Sequence, residues 1–352
     1  MKKKFLALLL TLSIFLCGCE IAFVPVDQPT TNVPQFTDGE TLTVHYIDVG
    51  QADAILLETE GKFMLIDGGN KDDSQLVVSY LEQQGVSELE AVVCTHPHED
   101  HVGGLPAVLA VYPTKAVYAP TKTYSSKIFD SFLYYVDQQG LDVTIPSPGQ
   151  LLTFGDMIMT FVGPVQSYAE TNDTSIVISA FFDDVRFIFT GDMEVAAEND
   201  MLDYWGEQMD WDSTVLKVGH HGSSTSSSYR FIREIDPEYA IVSVGKDNSY
   251  GHPHKEVISR YADAGIPMLR TDELGHIVVT ADGSDVQITW QNQSAQPDDV
   301  EPADTTYIGN KNSKKLHTTD CDNLPSQNNR VEFTSYSEAI DAGYTPCGNC
   351  MK

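Results

Sequence analysis

Three imidazoles and two carboxylates fall within the six positions His96-Pro97-His98-Glu99-Asp100-His101, just after the apolar stretch Ala91-Val92-Val93-Cys94 and before Gly103-Gly104. This run constrains the fold more than any hydrophobic pattern does. A strand must end here, and a tight loop must gather polar groups that no core buries unpaired. Neutral imidazole and carboxylate are the ligands that borderline divalent ions such as zinc prefer. A strand ending in such a loop can set His96 and His98 on one ion, with Asp100 and His101 turned toward a second. Two neighbouring ions can clamp the attacking and leaving oxygens of a hydrolysis. The bland alternative is a solvated, histidine-rich turn. A patterned run after a strand is far more specific than a short motif alone.

The run resembles the H-x-H-x-D-H signature of the metallo-β-lactamase fold. That family's pattern begins with an aspartate closing an early strand, and Phe63-Met64-Leu65-Ile66-Asp67-Gly68-Gly69 fits it. The resemblance makes Asp67 a brace for the metal loop and not a ligand. It assigns the metal-bridging aspartate to Asp192, at the end of Arg186-Phe187-Ile188-Phe189-Thr190-Gly191-Asp192. A last histidine comes from Tyr250-Gly251-His252-Pro253-His254, with His252 chosen and His254 as its rival. One family histidine is missing, and Thr171-Asn172-Asp173-Thr174-Ser175 stands in its place. The first ion is thereby one ligand short, which argues against a lactamase.

Two further segments narrow the resemblance. One is Leu216-Lys217-Val218-Gly219-His220-His221-Gly222-Ser223-Ser224-Thr225-Ser226; the other is Asn172-x-x-Ser175 before Ile176-Val177-Ile178. With His45-Tyr46-Ile47-Asp48-Val49-Gly50-Gln51-Ala52-Asp53 and Tyr250-Gly251-His252-Pro253, they resemble the extracellular metallohydrolase domain of ComEC-type competence proteins over roughly residues 40 to 290. The resemblance implies a phosphodiesterase, foremost a DNase that degrades one strand during uptake; related domains cleave other phosphodiesters. On this reading His96, His98 and Asp192 hold one divalent ion, and Asp100, His101, Asp192 and His252 hold the other, as zinc or manganese. An uptake role would need a separate DNA-uptake channel protein as partner.

A phosphodiester needs a nucleophile, charge neutralisation and leaving-group protonation. Catalytic assistance is assigned to His220 and His221, and to Asp100 beside its ligand role. His220 and His221 lie next to a Gly-Ser-Ser-Thr loop expected to open a helix, whose first amides would favour an anion. One of the two histidines could instead be a buried, hydrogen-bonded group, and His220 could fill the vacant coordination place. Asn172, Ser175, Lys217 and Ser223 are the expected substrate contacts, although a strand lysine is more often a solvated or snorkelling side chain.

Charge limits how such a chain could grip a polyanion. Its formal net charge is −30, so no broad basic groove is expected and binding must come from metals and local donors. Lys2-Lys3-Lys4 before the apolar run Phe5–Leu16 reads as a targeting segment too short for a comfortable membrane span. Leu16-Cys17-Gly18-Cys19 resembles a bacterial lipobox, with Cys19 as the lipidated residue and Cys17 the poorer candidate. An extracytoplasmic, lipid-anchored monomer is therefore expected, with residues 1–19 as leader and 20–40 as tether; an ordinary secreted protein is the alternative.

Residues 41–290 read as a mixed α/β domain, with helix candidates at 75–84, 126–139, 195–204, 226–235 and 255–264 and a strand meander near 151–163, 175–182 and 185–190. Two mixed sheets between outer helices, an αββα sandwich, fit this order. Residues 291–305 are polar and read as a linker. In the remaining 306–352, His317-x3-Cys321 and Cys347-x2-Cys350 offer four ligands with zinc-like spacing. The segment resembles the metal-binding module of Ada-type DNA repair proteins, with His317 replacing a cysteine, and implies one structural zinc. A Cys347–Cys350 disulfide is the rival. Cys94 is read as an inert buried thiol, and Trp205, Trp211 and Trp290 as core or edge fillers. Two other functions remain open: hydrolysis of another phosphodiester such as surface phosphocholine, and a non-enzymatic module that binds DNA or wall polymer.

Overall fold

The computed structural model describes residues 41–295, 306–319, 321–334 and 336–351. The leader with Cys19, the tether and most of the linker, residues 296–305, lie outside the described residues.

The first half of the chain supplies β1 (Leu42–Tyr46), β2 (Ile55–Thr59), β3 (Lys62–Ile66), β4 (Ala91–Val93), β5 (Val117–Tyr118) and β6 (Val143–Thr144). A meander follows: β7 (Leu151–Phe154), β8 (Met157–Gly163), β9 (Val177–Phe182) and β10 (Val185–Phe189). Then come β11 (Val215–Lys217), β12 (Tyr239–Val242), β13 (Met268–Arg270), β14 (Ile277–Ala281) and β15 (Val286–Trp290). They form an eight-stranded sheet ordered β15-β14-β1-β2-β3-β4-β5-β6 and a seven-stranded sheet ordered β13-β12-β11-β10-β9-β8-β7. Each sheet is antiparallel at one end and parallel at the other, the parallel runs being β3 to β6 and β10 to β13.

The period-two alternation of the strands explains the layers. In β2 and β3, Ile55, Leu57, Met64 and Ile66 face the second sheet, where they meet Ile178, Phe187 and Phe189. Their neighbours Leu56 and Leu65 turn outward, against α1 (Ser74–Gln83), α2 (Glu99–Val102), α3 (Leu105–Val111) and α4 (Lys127–Gln138). On the far side α5 (Val195–Trp205), α6 (Tyr229–Ile235) and α7 (Lys255–Asp263) cover Ile188, Leu216 and Val242. The expected αββα sandwich is thus the fold observed. Trp205 and Trp211 lie in the outer core, and Cys94 is fully buried.

Four helix candidates lie within a residue or so of the observed spans. The fifth starts late, at Tyr229 rather than at 226, because the Ser228 hydroxyl caps the helix by accepting from the Phe231 N–H at 3.1 Å. The domain also runs past residue 290: Asn292 N donates to Leu274 O, the end of α8 (Thr271–Leu274), and the Trp290 indole donates to Ala295 O.

The last segment forms a small four-stranded sheet, ordered β18 (Arg330–Phe333), β16 (Tyr307–Asn310), β17 (Lys315–Thr318), β19 (Thr345–Pro346), with α9 (Tyr336–Asp341). It docks on the α6–α7 face. The Tyr307 hydroxyl donates to the Asp263 carboxylate and lies 2.9 Å from the Tyr229 hydroxyl, while the Tyr336 ring stacks on Tyr229 at 4.3 Å. His317, Cys321, Cys347 and Cys350 converge with donor atoms all within 4.8 Å of one another, and the thiols are free. Burial raises the Cys347 thiol, but N–H groups of Asn349 and Cys350 outweigh it and hold the thiol below its usual range. A soft donor set of this kind fits zinc.

Candidate metal centre

The site sits where the carboxyl ends of parallel strands from both sheets meet. Chain leaving β3 brings Asp67, chain leaving β4 brings the 96–101 run, and chains leaving β10, β11 and β12 bring Asp192, His220–His221 and Ser243. The 96–101 run needs its following glycines. A Cβ on Gly104 would stand 2.0 Å from the Gly68 carbonyl oxygen, so the loop packs backbone to backbone.

Asp100, His101, Asp192 and His221 form one group, with one ligand atom of each lying within 4.8 Å of the others. The tautomers suit metal binding. His101 Nδ1 lies 2.8 Å from the Asp67 carboxylate and His221 Nδ1 lies 2.9 Å from the Ser243 carbonyl oxygen. Each Nδ1–H is donated outward, so each Nε2 turns into the group. Both Nε2 atoms, with Asp192 Oδ1, are buried and make no well-formed hydrogen bond, although His101 Nε2 lies 3.1 Å from Asp192 Oδ1 and His221 Nε2 3.3 Å from Asp100 Oδ2. Buried polar atoms left this way are costly unless something fills the space between them. A borderline divalent ion is the natural filling for two imidazoles and two carboxylates.

A second set lies beside it. His96 Nε2 is 3.9 Å and His220 Nε2 3.8 Å from Asp192 Oδ2, and His96 Nε2 is 3.0 Å from His98 Nδ1. His220 therefore adjoins this second set. His220 and His221 both have positive φ, 48° and 52°, and Gly222 continues at 80°. Three successive left-handed residues fold the strand end back, which throws both imidazoles into the site. Such strain is costly and is characteristic of functional turns.

The imidazoles and carboxylates of the group favour one another's charged forms. Burial opposes the His221 imidazolium, but the Asp192, Asp100 and Asp53 carboxylates outweigh it and push its pKa up to about 10. His101 is likewise raised well above its usual range against its own burial, by Asp192, Asp67 and Asp100. Burial opposes ionisation of Asp192 and Asp100 too, yet the imidazoles hold both carboxyls well below normal.

Several expected contacts are placed differently. His252 is not in the four-residue group; it lines the cleft beside it, with Gln51 Nε2 donating to its Nδ1 at 3.2 Å. Burial and the neighbouring imidazoles pull it down to about 4. The group contains His221, expected as a catalytic helper, and not His252, expected as a ligand. His254 caps α7, and its Nδ1 accepts from Ser224 N at 2.8 Å. Lys217 does not reach a phosphate: it is fully buried, 2.7 Å from the Asp53 carboxylate, because its strand position points between elements and not into the cleft. Ser175 is also buried, accepting from the Asp192 N–H at 3.1 Å, so it braces the ligand loop. The Ser223 hydroxyl turns to Thr225 at 2.9 Å. Asn172 does line the cleft, and its Nδ2 donates to Glu194 at 3.0 Å.

The helix start expected to receive an anion is already filled. The buried Glu198 carboxylate accepts from the backbone N–H groups of Ser227 and Ser228, the latter at 3.0 Å. Burial pushes this carboxyl from the usual 4.5 up to about 7, only partly offset by those donors and by Arg260. The folded protein holds the proton that the unfolded chain has lost, so stability falls as pH rises from about 4.5 to about 7. Glu198→Gln is expected to flatten that slope, by up to about 3 kcal/mol, in urea unfolding at several pH values. An unchanged slope would remove Glu198 from the account.

Two acids, Asp53 buried and Glu194 half-buried, carry more than their sequence context suggests. Asp53 lies 3.4 Å from His221 Nδ1 and pairs with Lys217; burial raises its carboxyl, but Lys217 and His221 hold it at about 2. Glu194 lies 3.1 Å from His220 Nδ1 and also accepts from Asn172 and Thr225. The only signal for either was its place at a strand end: Asp53 in the 45–53 segment, Glu194 two residues beyond Asp192.

A profile of the Metallo-beta-lactamase superfamily matches residues 47–246. Over 278 residues the chain is 27% identical to ComE operon protein 3 of Bacillus subtilis (strain 168), covering 74% of this chain and 34% of that protein. Over 233 residues it is 30% identical to Competence protein ComA of Neisseria gonorrhoeae, covering 65% of this chain and 30% of that protein. Among solved structures, the metallo-beta-lactamase fold protein YhfI from Bacillus subtilis aligns with a TM-score of 0.49 at 13% identity, covering 69% of this chain and 100% of that one. The chain spans about a third of the length of the curated relatives it matches. With more than half of its residues inside the matched profile, the chain belongs to the Metallo-beta-lactamase superfamily.

Proposed function

We propose that this metallo-β-lactamase-fold hydrolase is a metal-dependent phosphodiesterase acting on DNA outside the cytoplasm, anchored through a lipid on Cys19. The observation that carries the reading is the convergence of Asp100, His101, Asp192 and His221, with His96, His98 and His220 alongside, on an open cleft of about 490 Å³. A closed four-ligand structural site would leave no such cleft. Similarity to a protein named for competence supports DNA over a wall polymer.

Asp100, His101, Asp192 and His221 would hold one ion, and His96, His98 and Asp192 another, with His220 as neighbour or fourth ligand. Bound divalent ions supply Lewis acidity and a water made nucleophilic near neutral pH. The rest falls to the chain itself. Asp67 and the Ser243 carbonyl fix the imidazole orientations. Glu194 accepts from the Nδ1–H of His220 and leaves its Nε2 facing the cleft, as a metal ligand when neutral or, when protonated, as a donor to a non-bridging oxygen or the leaving group. Asn172 buttresses Glu194.

The test is a substrate panel: the purified chain with zinc or manganese, offered single-stranded DNA, double-stranded DNA and a phosphocholine-bearing polymer. Metal-dependent scission of DNA is expected. Release of phosphocholine with DNA left intact would overturn the DNA reading and leave a different phosphodiester as substrate.

A further inference from the structure

Tyr250 stands on the wall of the metal cleft with 68% of its surface exposed, among the most exposed large apolar side chains described. Its ring stacks on His252, centroids 5.6 Å apart and planes 26° apart. Exposed tyrosines are ordinary on a surface. What sets this one apart is the rigidity of its loop. Asn248 Oδ1 accepts from the N–H groups of both Tyr250 and His252, at 3.1 and 3.0 Å. Its Nδ2 donates to the carbonyls of Gly245 and His252, at 2.9 and 2.6 Å. Gly251, at φ 75°, makes the turn between the two rings. His252 is fastened in turn to Gln51, whose Oε1 accepts from Gly245 N at 3.1 Å. One side chain and one glycine thus hold an aromatic ring at the mouth of the site. The ring buries little, so the fold gains little from it.

The charge around the cleft sharpens the question of what the ring is for. Glu99, Asp100 and Asp192 line it, and no lysine or arginine does among the described residues. Lys246 and Arg270 line an adjoining hollow that shares His252 and not the cleft itself, so a substrate phosphate inside the cleft meets no cationic side chain. Affinity must then come from another part of the substrate, and in single-stranded nucleic acid that part is the base, whose π-face stacks on aromatic side chains whatever the sequence. A quaternary amine would instead call for several rings enclosing the cation. One flat, exposed ring suits a planar partner.

We infer that Tyr250 is a stacking platform for the nucleobase next to the scissile phosphate, making the site selective for single-stranded, base-bearing phosphodiesters. This rests on the phosphodiesterase reading above. The experiment compares a single-stranded oligonucleotide with a strand of the same length carrying abasic positions, cleaved by the wild-type chain, Tyr250→Ala and Tyr250→Phe. The wild-type preference for the base-bearing strand, read as the ratio of KM values, is expected to fall about tenfold in Tyr250→Ala and to persist in Tyr250→Phe. Thermal melting of each variant checks that it is folded. An unchanged ratio in Tyr250→Ala, or a wild-type enzyme with no preference for bases, overturns the platform while leaving the phosphodiesterase standing. Cleavage of neither strand by the metal-loaded wild type overturns both.

Discussion

Replacing His221 by alanine is expected to remove one metal ion and to lower kcat/KM for phosphodiester cleavage by about a thousandfold or more, a loss of about 4 kcal/mol. The argument is one of orientation. The Nδ1 of His221 is tied to the Ser243 carbonyl oxygen, so its Nε2 faces Asp100 at 3.3 Å and Asp192 at 3.6 Å. Removing the ring leaves the two carboxylates with one imidazole fewer to share an ion. His252→Ala is expected to keep the full metal content, because that ring lines the cleft outside the group and is held by Gln51. Its effect should stay within about tenfold in kcat/KM. Metal content and steady-state cleavage measured side by side decide between the two histidines. Full metal in His221→Ala and loss in His252→Ala would reverse the assignment. His221→Gln, which keeps a side chain to fill the space, separates metal loss from misfolding.

Lys217→Met should destabilise the fold by about 3–5 kcal/mol in urea unfolding, the range for breaking one partner out of a buried ion pair. Lys217 is fully buried, 2.7 Å from Asp53, and also donates to the Val218 carbonyl oxygen. Truncating it strands the Asp53 carboxylate with only His221 and His101 as partners. Because Asp53 also touches His221, the damage should spread to metal affinity. Asp53→Asn in the same chain should recover part of the stability, since an amide needs no counter-charge. A stable Lys217→Met protein with a raised KM for DNA would instead mean that the lysine reaches substrate.

What the sequence made legible, and what it hid, follows from the range of each interaction. The β-strand alternation at Leu42, Val44 and Tyr46 is local, and so is the helical period from 127 to 138, so both elements could be read directly. The four residues of α2 and seven of α3 are too short to show a period, and the histidine run and the apolar stretch after it mask them. In the site, the 96–101 run and Asp192 could be read because each ends a strand. The presence of His221 rather than His252 in the four-residue group could not. It depends on three left-handed residues and on the Ser243 carbonyl, 22 positions away from His221. Lys217 misled for the same reason: a strand lysine reads as solvated until its partner, far back in the chain at Asp53, is known. The docking of the C-terminal module was hidden likewise, since Tyr229, Asp263 and Tyr307 carry no shared local pattern.

The most direct test strips the purified chain of metal with chelator, restores zinc or manganese stepwise, and follows scission of single-stranded DNA, with Asp100→Ala treated in parallel. The account predicts that cleavage is lost on stripping, returns with added metal, and never appears in Asp100→Ala. Cleavage that persists in the stripped protein, or that metal restores equally in Asp100→Ala, would contradict it.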